Sequence, residues 1–292
     1  MRVLVLGTSG FLGKYIFNQL KKREKVYNTG LSNRKINLTS FNSLKKLILN
    51  SNPNVIINCS GLTDVDKCEK NPKYSKKINV DILKNITKIK KSNAVNFKLI
   101  HFSTDQVYNP KKNKKNIETG YFHPINIYSK HKLASEKICI QNKGIVFRLN
   151  LIGKSKSNKQ SFSDWIYRNL KQKKVINGFV DSYYSPLNVT TVSKIIDKIL
   201  LNKKYNFSGI YNLGSRSGIS KFKLIKKFSE KLKIYNKNLV HKKKINDVCV
   251  TPRTKYNKLN VNKFTKKFKI KLPSIIMEIN SLAKYYEKNK NR

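Results

Sequence analysis

Apolar residues open the chain as a short run, Arg2 to Leu6, that stops at Gly7. From Phe11 to Lys22 they recur at Phe11, Leu12, Tyr15, Ile16 and Leu20, the spacing of one helix face. The two modes then alternate. Strands are predicted at Lys25 to Leu31, Asn54 to Cys59, Phe97 to Phe102 and Gly144 to Leu149. Helices are predicted at Phe41 to Leu49, with Ser40 or Thr39 as N-cap, at Pro72 to Ile89 and at Pro124 to Ile140. Strands spaced by helices in this way imply βαβ units and a parallel sheet. Right-handed crossovers put the strand C-termini on one edge, so the segments after Gly7, Cys59, Phe102 and Leu149 should share one crevice.

After Leu151 the rhythm loosens. Phe162 to Leu170, Thr190 to Leu201 and Ser220 to Leu232 read as helices and Gly209 to Leu213 as a strand, while the tail from Lys255 reads as basic and mixed. The expected division is a nucleotide-binding unit over residues 1–150, with a return segment near 174–205, and a mainly substrate-binding lobe over 151–292.

With 39% hydrophobic residues, the chain can bury a core. No segment reaches the roughly 18 apolar residues of a membrane span, and Met1 to Leu6 reads as a strand rather than a leader. The expectation is a cytoplasmic protein with no membrane partner. Cys59, Cys68, Cys139 and Cys249 form no C-x-x-C pair, so they read as reduced and structural, and no metal is expected. The formal net charge of +48 raises the question of a nucleic-acid partner. The lysines are spread along the whole chain, alongside abundant asparagine and isoleucine, with no zinc finger and no aromatic-basic strand. That distribution reads as compositional bias, and no specific nucleic acid is expected. The basic run Lys111 to Lys115 follows Asn109-Pro110 and reads as a loop.

Three motifs carry chemistry. The loop Gly7-Thr8-Ser9-Gly10-Phe11-Leu12-Gly13 follows a strand and opens a helix. Glycines there let the backbone approach a pyrophosphate at the positive helix end, which predicts NAD(H) or NADP(H). No acidic residue for a ribose diol occurs from Tyr27 to Lys35, and Arg34 or Lys35 could meet a 2′-phosphate, so NADP(H) is expected over NAD(H). Second, Tyr128 and Lys132 stand at i and i+4 on a predicted helix. A lysine there, with a nicotinamide cation, can pull a phenol toward neutrality and make it a proton donor. Tyr108, Tyr167 and Tyr286 also precede a lysine by four, but only Tyr128 follows a strand ending in hydroxyls. That strand end, Ser103-Thr104-Asp105, is the third motif; its hydroxyls can meet a substrate carbonyl, although Thr104 and Asp105 could equally close a turn.

Together the motifs resemble the extended short-chain dehydrogenase/reductase family, and within it the reductases of nucleotide-linked keto-sugars. The resemblance extends to Asn58 through Glu69, to Asn79-Val80, to Pro124-Ile125-Asn126-Ile127-Tyr128 with Lys132-Leu133-Ala134 and Glu136, and to Gly209 through Leu213. It implies an α/β fold, a Rossmann-type doubly wound parallel sheet with a smaller C-terminal lobe. It implies an NAD(P)H-dependent oxidoreductase in surface-polysaccharide synthesis, acting on a nucleotide-linked sugar, with homodimerisation left open. Tyr128 would be the general acid, Lys132 would hold the ribose and tune Tyr128, and Thr104 would orient the carbonyl. Gly7, Ser9, Gly10, Phe11, Leu12, Gly13, Ser60, Gly61 and Leu62 would bind cofactor. Thr63, Val65, Asp105 and Arg148 would contact substrate.

The departures fall on the substrate side. Arg148-Leu149-Asn150-Leu151 lacks the sugar-stacking tryptophan of the family's R-T-x-W, and the one tryptophan, Trp165, reads as a core or lobe-packing residue. Pro252-Arg253 inverts the family's R-P. Alternatives on the same fold are an epimerase or dehydratase and a non-catalytic NADP-binding regulatory subunit. Asp105-Gln106 is not the Asp-Glu pair associated with dehydratases, and intact Thr104, Tyr128 and Lys132 argue against a regulator.

Overall fold

The computed structural model describes residues 1–22, 27–28, 36–108, 115–157 and 160–288. Residues 29–35, which include Arg34 and Lys35, and residues 111–114 of the basic run lie outside the described residues. Strand and helix alternate through β1 (Arg2–Leu6), α1 (Phe11–Leu20), β2 (Tyr27–Asn28), α2 (Phe41–Ser51) and β3 (Val55–Asn58). They continue with α3 (Val65–Lys70), α4 (Pro72–Lys76), α5 (Ile82–Ser92), β4 (Lys98–Thr104), α6 (Ile127–Gln141) and β5 (Ile145–Leu149). Later come β6 (Leu151–Ile152), α7 (Phe162–Lys171), β7 (Ile176–Phe179), β8 (Tyr183–Tyr184), β9 (Leu187–Asn188), α8 (Val189–Leu201) and β10 (Gly209–Asn212). The chain closes with β11 (Ile219–Ser220), α9 (Lys221–Lys231), β12 (Val240–Lys243), β13 (Tyr256–Asn257), α10 (Asn262–Phe268) and α11 (Ile275–Lys288).

The order β10-β5-β4-β3-β1-β2 builds one sheet, parallel throughout. Val3 to Leu6 and Val55 to Asn58 are buried at every position, as strands covered by helices on both faces must be. Ile16, Leu20, Val192, Ile196, Phe264 and Phe268 fill one face. Leu44, Ile48, Ile86, Ile89 and Cys139 fill the other. From β1 the chain steps to β2 on one side and then to β3 on the other. The loops leaving β1 and β3 therefore diverge and open a crevice at the strand C-termini.

A second apolar core, built by Ile166, Leu170, Tyr184, Phe228, Ile279 and Tyr286, forms the lobe. Its sheets are small: β11-β8-β13, and the pair β12-β7. Trp165 packs there, stacked on Phe162 at 5.8 Å between ring centres. Within the return segment expected near 174–205, Ile176 belongs to the lobe core, whereas Leu187, Val189 and Val192 pack on the main sheet, as do Tyr211 and Leu213 further along. The tail is more ordered than its composition suggests: α10 packs Phe264 and Phe268 on the main sheet, and α11 supplies Ile275, Ile279 and Leu282 to the lobe. Among the described residues, no helix is long and apolar enough to cross a membrane.

Candidate active site

The glycine loop is fixed by close backbone approach. Gly7 has φ +78°, a left-handed value, and a Cβ there would stand 2.7 Å from Ser60 N. A Cβ on Gly13 would stand 2.2 Å from Gly7 O. Gly10 N–H donates to Gly7 O at 2.9 Å, and Gly10 then starts α1 with no side-chain cap. The first turn of α1 thus presents amide donors beside a backbone that only glycine permits, and this fits a pyrophosphate.

The segment after β3 is held from two sides. Asn58 Oδ1 accepts from Ser60 N at 3.1 Å and from Ser60 Oγ. Asn79 Oδ1 accepts from Leu62 N, and Asn79 Nδ2 donates to Leu62 O, both at 3.0 Å. Asn79 lies in a single π-helical turn, Lys77–Asp81, inside the otherwise continuous helical run from α4 to α5. Such turns commonly mark functional positions. Here the turn points a polar side chain inward, at the loop that follows β3. Leu62, Val65, Cys68 and Ile127 then pack around Tyr128, so the loop and the predicted acid share one wall. Thr63 is half-turned to solvent beside them, in an exposed position.

Tyr128 lies on the first turn of α6, capped reciprocally by Asn126 and Ser129. Its hydroxyl hydrogen-bonds Thr104, and burial raises the phenol above its ordinary range, with the charge of Asp105 adding to the rise. Thr104 Oγ1 also accepts from Gln106 N at 3.2 Å, so the residue both closes a turn and faces Tyr128. Lys132 is brought to the same buried face, and its amine is bonded to β4. Nζ donates to Phe102 O at 2.6 Å and sits 3.2 Å from His101 Nε2. Burial lowers its pKa to about 8. With Nζ bonded to β4 and burial dominating at the phenol, Tyr128 stays protonated; the pull toward neutrality expected of Lys132 acts together with a nicotinamide cation.

His101 was not anticipated. It is 1% exposed, and Asn58 Nδ2 meets its Nδ1 at 3.3 Å. Its Nε2 stands 3.0 Å from Ser135 Oγ and 3.2 Å from Lys132 Nζ. Burial first and the Lys132 charge second drive its pKa well down, so the ring is neutral. The sequence signal was one polar residue inside the apolar run of β4.

Arg148 stands apart from the crevice. It is 0% exposed, and its guanidinium is committed to Glu136 (Nε to Oε1 2.9 Å, Nη2 to Oε2 2.5 Å), to Tyr108 Oη at 2.7 Å and to Glu118 O. Ser103 Oγ donates to Glu136 as well. A guanidinium so buried must be paired, and the pair ties α6 to β4 and β5. Arg148 braces the site instead of lining it. The group that turns toward the lobe is Asp105, also 0% exposed, whose carboxylate accepts from Asn150 Nδ2 at 3.1 Å. Burial raises Asp105 to about 6, partly offset by Asn150 and the charge of Lys221. From the other side, Arg253 Nη2 donates to Asp66 Oδ2 at 2.7 Å and Asn126 Nδ2 to Pro252 O at 2.9 Å. The inverted Pro252-Arg253 segment therefore closes over the N-terminus of α6, next to Tyr128.

The sequence of the RmlD substrate binding domain family matches residues 1–287. The dTDP-4-dehydrorhamnose reductase of Salmonella typhimurium is 29% identical over 166 residues, covering 55% of this chain and 54% of that protein. The methionine adenosyltransferase 2 subunit beta of Bos taurus is 28% identical over 151 residues, covering 48% of this chain and 43% of that protein. The chain thus spans about half the length of these curated relatives. The crystal structure of a Bacillus anthracis dTDP-4-dehydrorhamnose reductase in complex with NADP superposes with a TM-score of 0.86 at 23% identity, covering 99% of both chains. That likeness establishes the fold, an α/β Rossmann-type sheet with its lobe.

Proposed function

The chain belongs to the RmlD substrate binding domain family, and we propose that it is an NADPH-dependent reductase of a nucleotide-linked 4-keto sugar, of the dTDP-4-dehydrorhamnose type. The observation that carries this reading is the meeting of Tyr128 and Thr104 at the strand edge that also holds the glycine loop. The Salmonella relative is named for that reduction and the Bacillus structure holds NADP; both support carrying the activity and the cofactor over.

In this reading Gly7, Ser9, Gly10, Phe11, Leu12 and Gly13 hold the cofactor's pyrophosphate, Ser60, Gly61 and Leu62 line it, and Lys132 binds its ribose. NADPH, when bound, supplies the hydride. The chain supplies the proton. Thr104 holds the substrate's carbonyl oxygen beside Tyr128, and the buried, protonated phenol gives its proton to that oxygen as the alkoxide develops. The phenolate left behind is stabilised by Thr104 and by a positive charge on Lys132 one helical turn away. Thr63 and Val65 on one wall and Asp105 on the other contact the sugar, and the lobe supplies the rest of the substrate site.

Tyr128→Phe removes the proton and little else. Turnover with a dTDP-4-keto-6-deoxysugar should fall by at least about 100-fold, with NADPH affinity within about twofold of wild type. Retention of the wild-type rate would refute the assignment of the acid. Tight NADPH binding by the wild-type protein with no oxidation by any nucleotide keto-sugar would favour the regulatory reading.

A further inference from the structure

Across the site from Tyr128, the lobe presents buried polar atoms with nothing to bond. Tyr184 is 3% exposed and, among the described residues, its hydroxyl has no hydrogen-bond partner. Asn257 Oδ1 and Thr254 Oγ1, 6% and 3% exposed by residue, are likewise unpaired. Tyr184 and Asn257 are register partners in the parallel pair β8–β13, so they lie side by side on one face of that small sheet. The Tyr184 hydroxyl also lies within the field of the Asp105 carboxylate, which follows Thr104 directly. Buried polar groups in folded proteins are almost always paired, and a group of unpaired ones converging on a catalytic crevice marks where a ligand's polar atoms belong.

The lobe core explains why the hydroxyl is retained. Tyr184 packs among Ile219, Leu224 and Phe228, where a phenylalanine would satisfy every apolar contact. The oxygen contributes nothing to that packing, and leaving it dry and unpaired is unfavourable. Its use must lie outside the lobe core, in the direction of Asp105. The same side of the site lacks the aromatic that the family places after β5, where this chain has Leu151. Tyr184 offers an aromatic ring and a donor from another element.

We propose that Tyr184 is a specificity-determining residue: its hydroxyl, with Asp105 and Asn257, hydrogen-bonds a ring hydroxyl of the sugar next to the carbonyl held by Thr104. This rests on the reductase reading, and it names the residue by which this chain tells one keto-sugar from another. Asp105 accepts from the sugar hydroxyl and Tyr184 donates to it, so a sugar lacking that hydroxyl leaves both groups unpaired. A site built on such a pairing discriminates against the deoxygenated analogue far more strongly than an apolar pocket does.

The test is Tyr184→Phe, assayed with NADPH against a panel of dTDP-4-keto-6-deoxysugars that differ in ring hydroxyls, with melting temperature measured on the unliganded protein. The expected result is a KM for the preferred sugar raised roughly 10-fold, kcat and the NADPH KM within about twofold, and a smaller preference across the panel. The unliganded variant should melt at the wild-type temperature or above it. An unchanged sugar KM and panel preference would overturn the proposal, as would a lowered melting temperature, which would show the hydroxyl to be structural. Wild-type protein that reduces no sugar in the panel would overturn the reductase reading, and the role of Tyr184 with it. A wild-type enzyme that is active alongside an indistinguishable variant would overturn Tyr184 alone.

Discussion

Asp105 shows how a single residue can serve the site at the expense of the fold. Burial holds its carboxyl at about 6 against an ordinary 3.8. The folded protein therefore binds that proton more tightly than the unfolded chain does. The associated stability is complete below about pH 4 and is lost as pH rises through about 6. At pH 8 the buried carboxylate costs on the order of 3 kcal/mol. Asp105→Asn keeps the shape and removes the charge. Its urea midpoint at pH 8 should exceed that of the wild type, and the two should converge near pH 4. Parallel pH–stability curves would show that the carboxylate is not strained by burial. Activity should fall in the same variant, because the amide replaces a charged acceptor with a weaker neutral one and turns an N–H donor toward the sugar. Residues of this kind were half legible in the sequence. Thr104, Asp105, Tyr128 and Lys132 could be named because their spacing encodes a strand end and a helix face. His101 and Tyr184 could not, since each is defined by what surrounds it in space. Arg148 was placed on the substrate side by the resemblance alone, and the compensating Glu136 was visible in the sequence without any sign that the two would meet.

Among the elements, the alternation that β1 to β5 and α1 to α6 display was written plainly in the apolar period. The boundaries moved little: the helix expected over Phe41 to Leu49 runs Phe41–Ser51, capped by Ser40 as anticipated. Two features escaped. The π-helical turn at Lys77–Asp81 adds one residue to a turn, which a periodicity reading absorbs as noise. Helix α11 keeps a helical spacing at Ile275, Ile279, Leu282 and Tyr286, but it follows the lysine-rich stretch from Lys255 to Lys271 and reads with it as a basic and mixed tail. The glycine loop is the element where geometry is least forgiving. Gly13→Ala would drive a Cβ to 2.2 Å from Gly7 O, so β1 and α1 would have to separate. Overpacking of this order costs about 1–3 kcal/mol, and the displaced amides should raise the NADPH KM more than the sugar KM. Gly61→Ala is the control for stability alone, because its Cβ would meet only the Asn79 side chain, at 3.3 Å. A Gly13→Ala melting temperature equal to that of Gly61→Ala, with an NADPH KM at the wild-type value, would argue that the loop tolerates the strain.

On the scale of the whole molecule, the charge is distributed more unevenly than the total of +48 conveys. Acidic residues number 15, and five are buried: Glu136 holds Arg148, Glu118 accepts from Asn212 N, Asp197 from Gln19, Glu278 from Asn188 N, and Asp105 faces the site. What remains outside is overwhelmingly cationic. Both proposed ligands are polyanions, and a cationic surface concentrates them and speeds their encounter by roughly 10- to 1,000-fold at low salt. Screening shortens that reach from about 10 Å at 0.1 M salt to about 3 Å at 1 M. The chemistry at Tyr128 is buried and should feel none of this. Between 0.05 and ~1 M sodium chloride, the KM values for NADPH and sugar nucleotide should therefore rise roughly 10-fold while kcat holds steady. A KM independent of salt would make the charge irrelevant to catalysis, a residue of composition alone. Sequence-tolerant DNA binding that survives physiological ionic strength and falls steeply above it would give the charge a different partner. The steering account then fails unless the two anions compete for the same face.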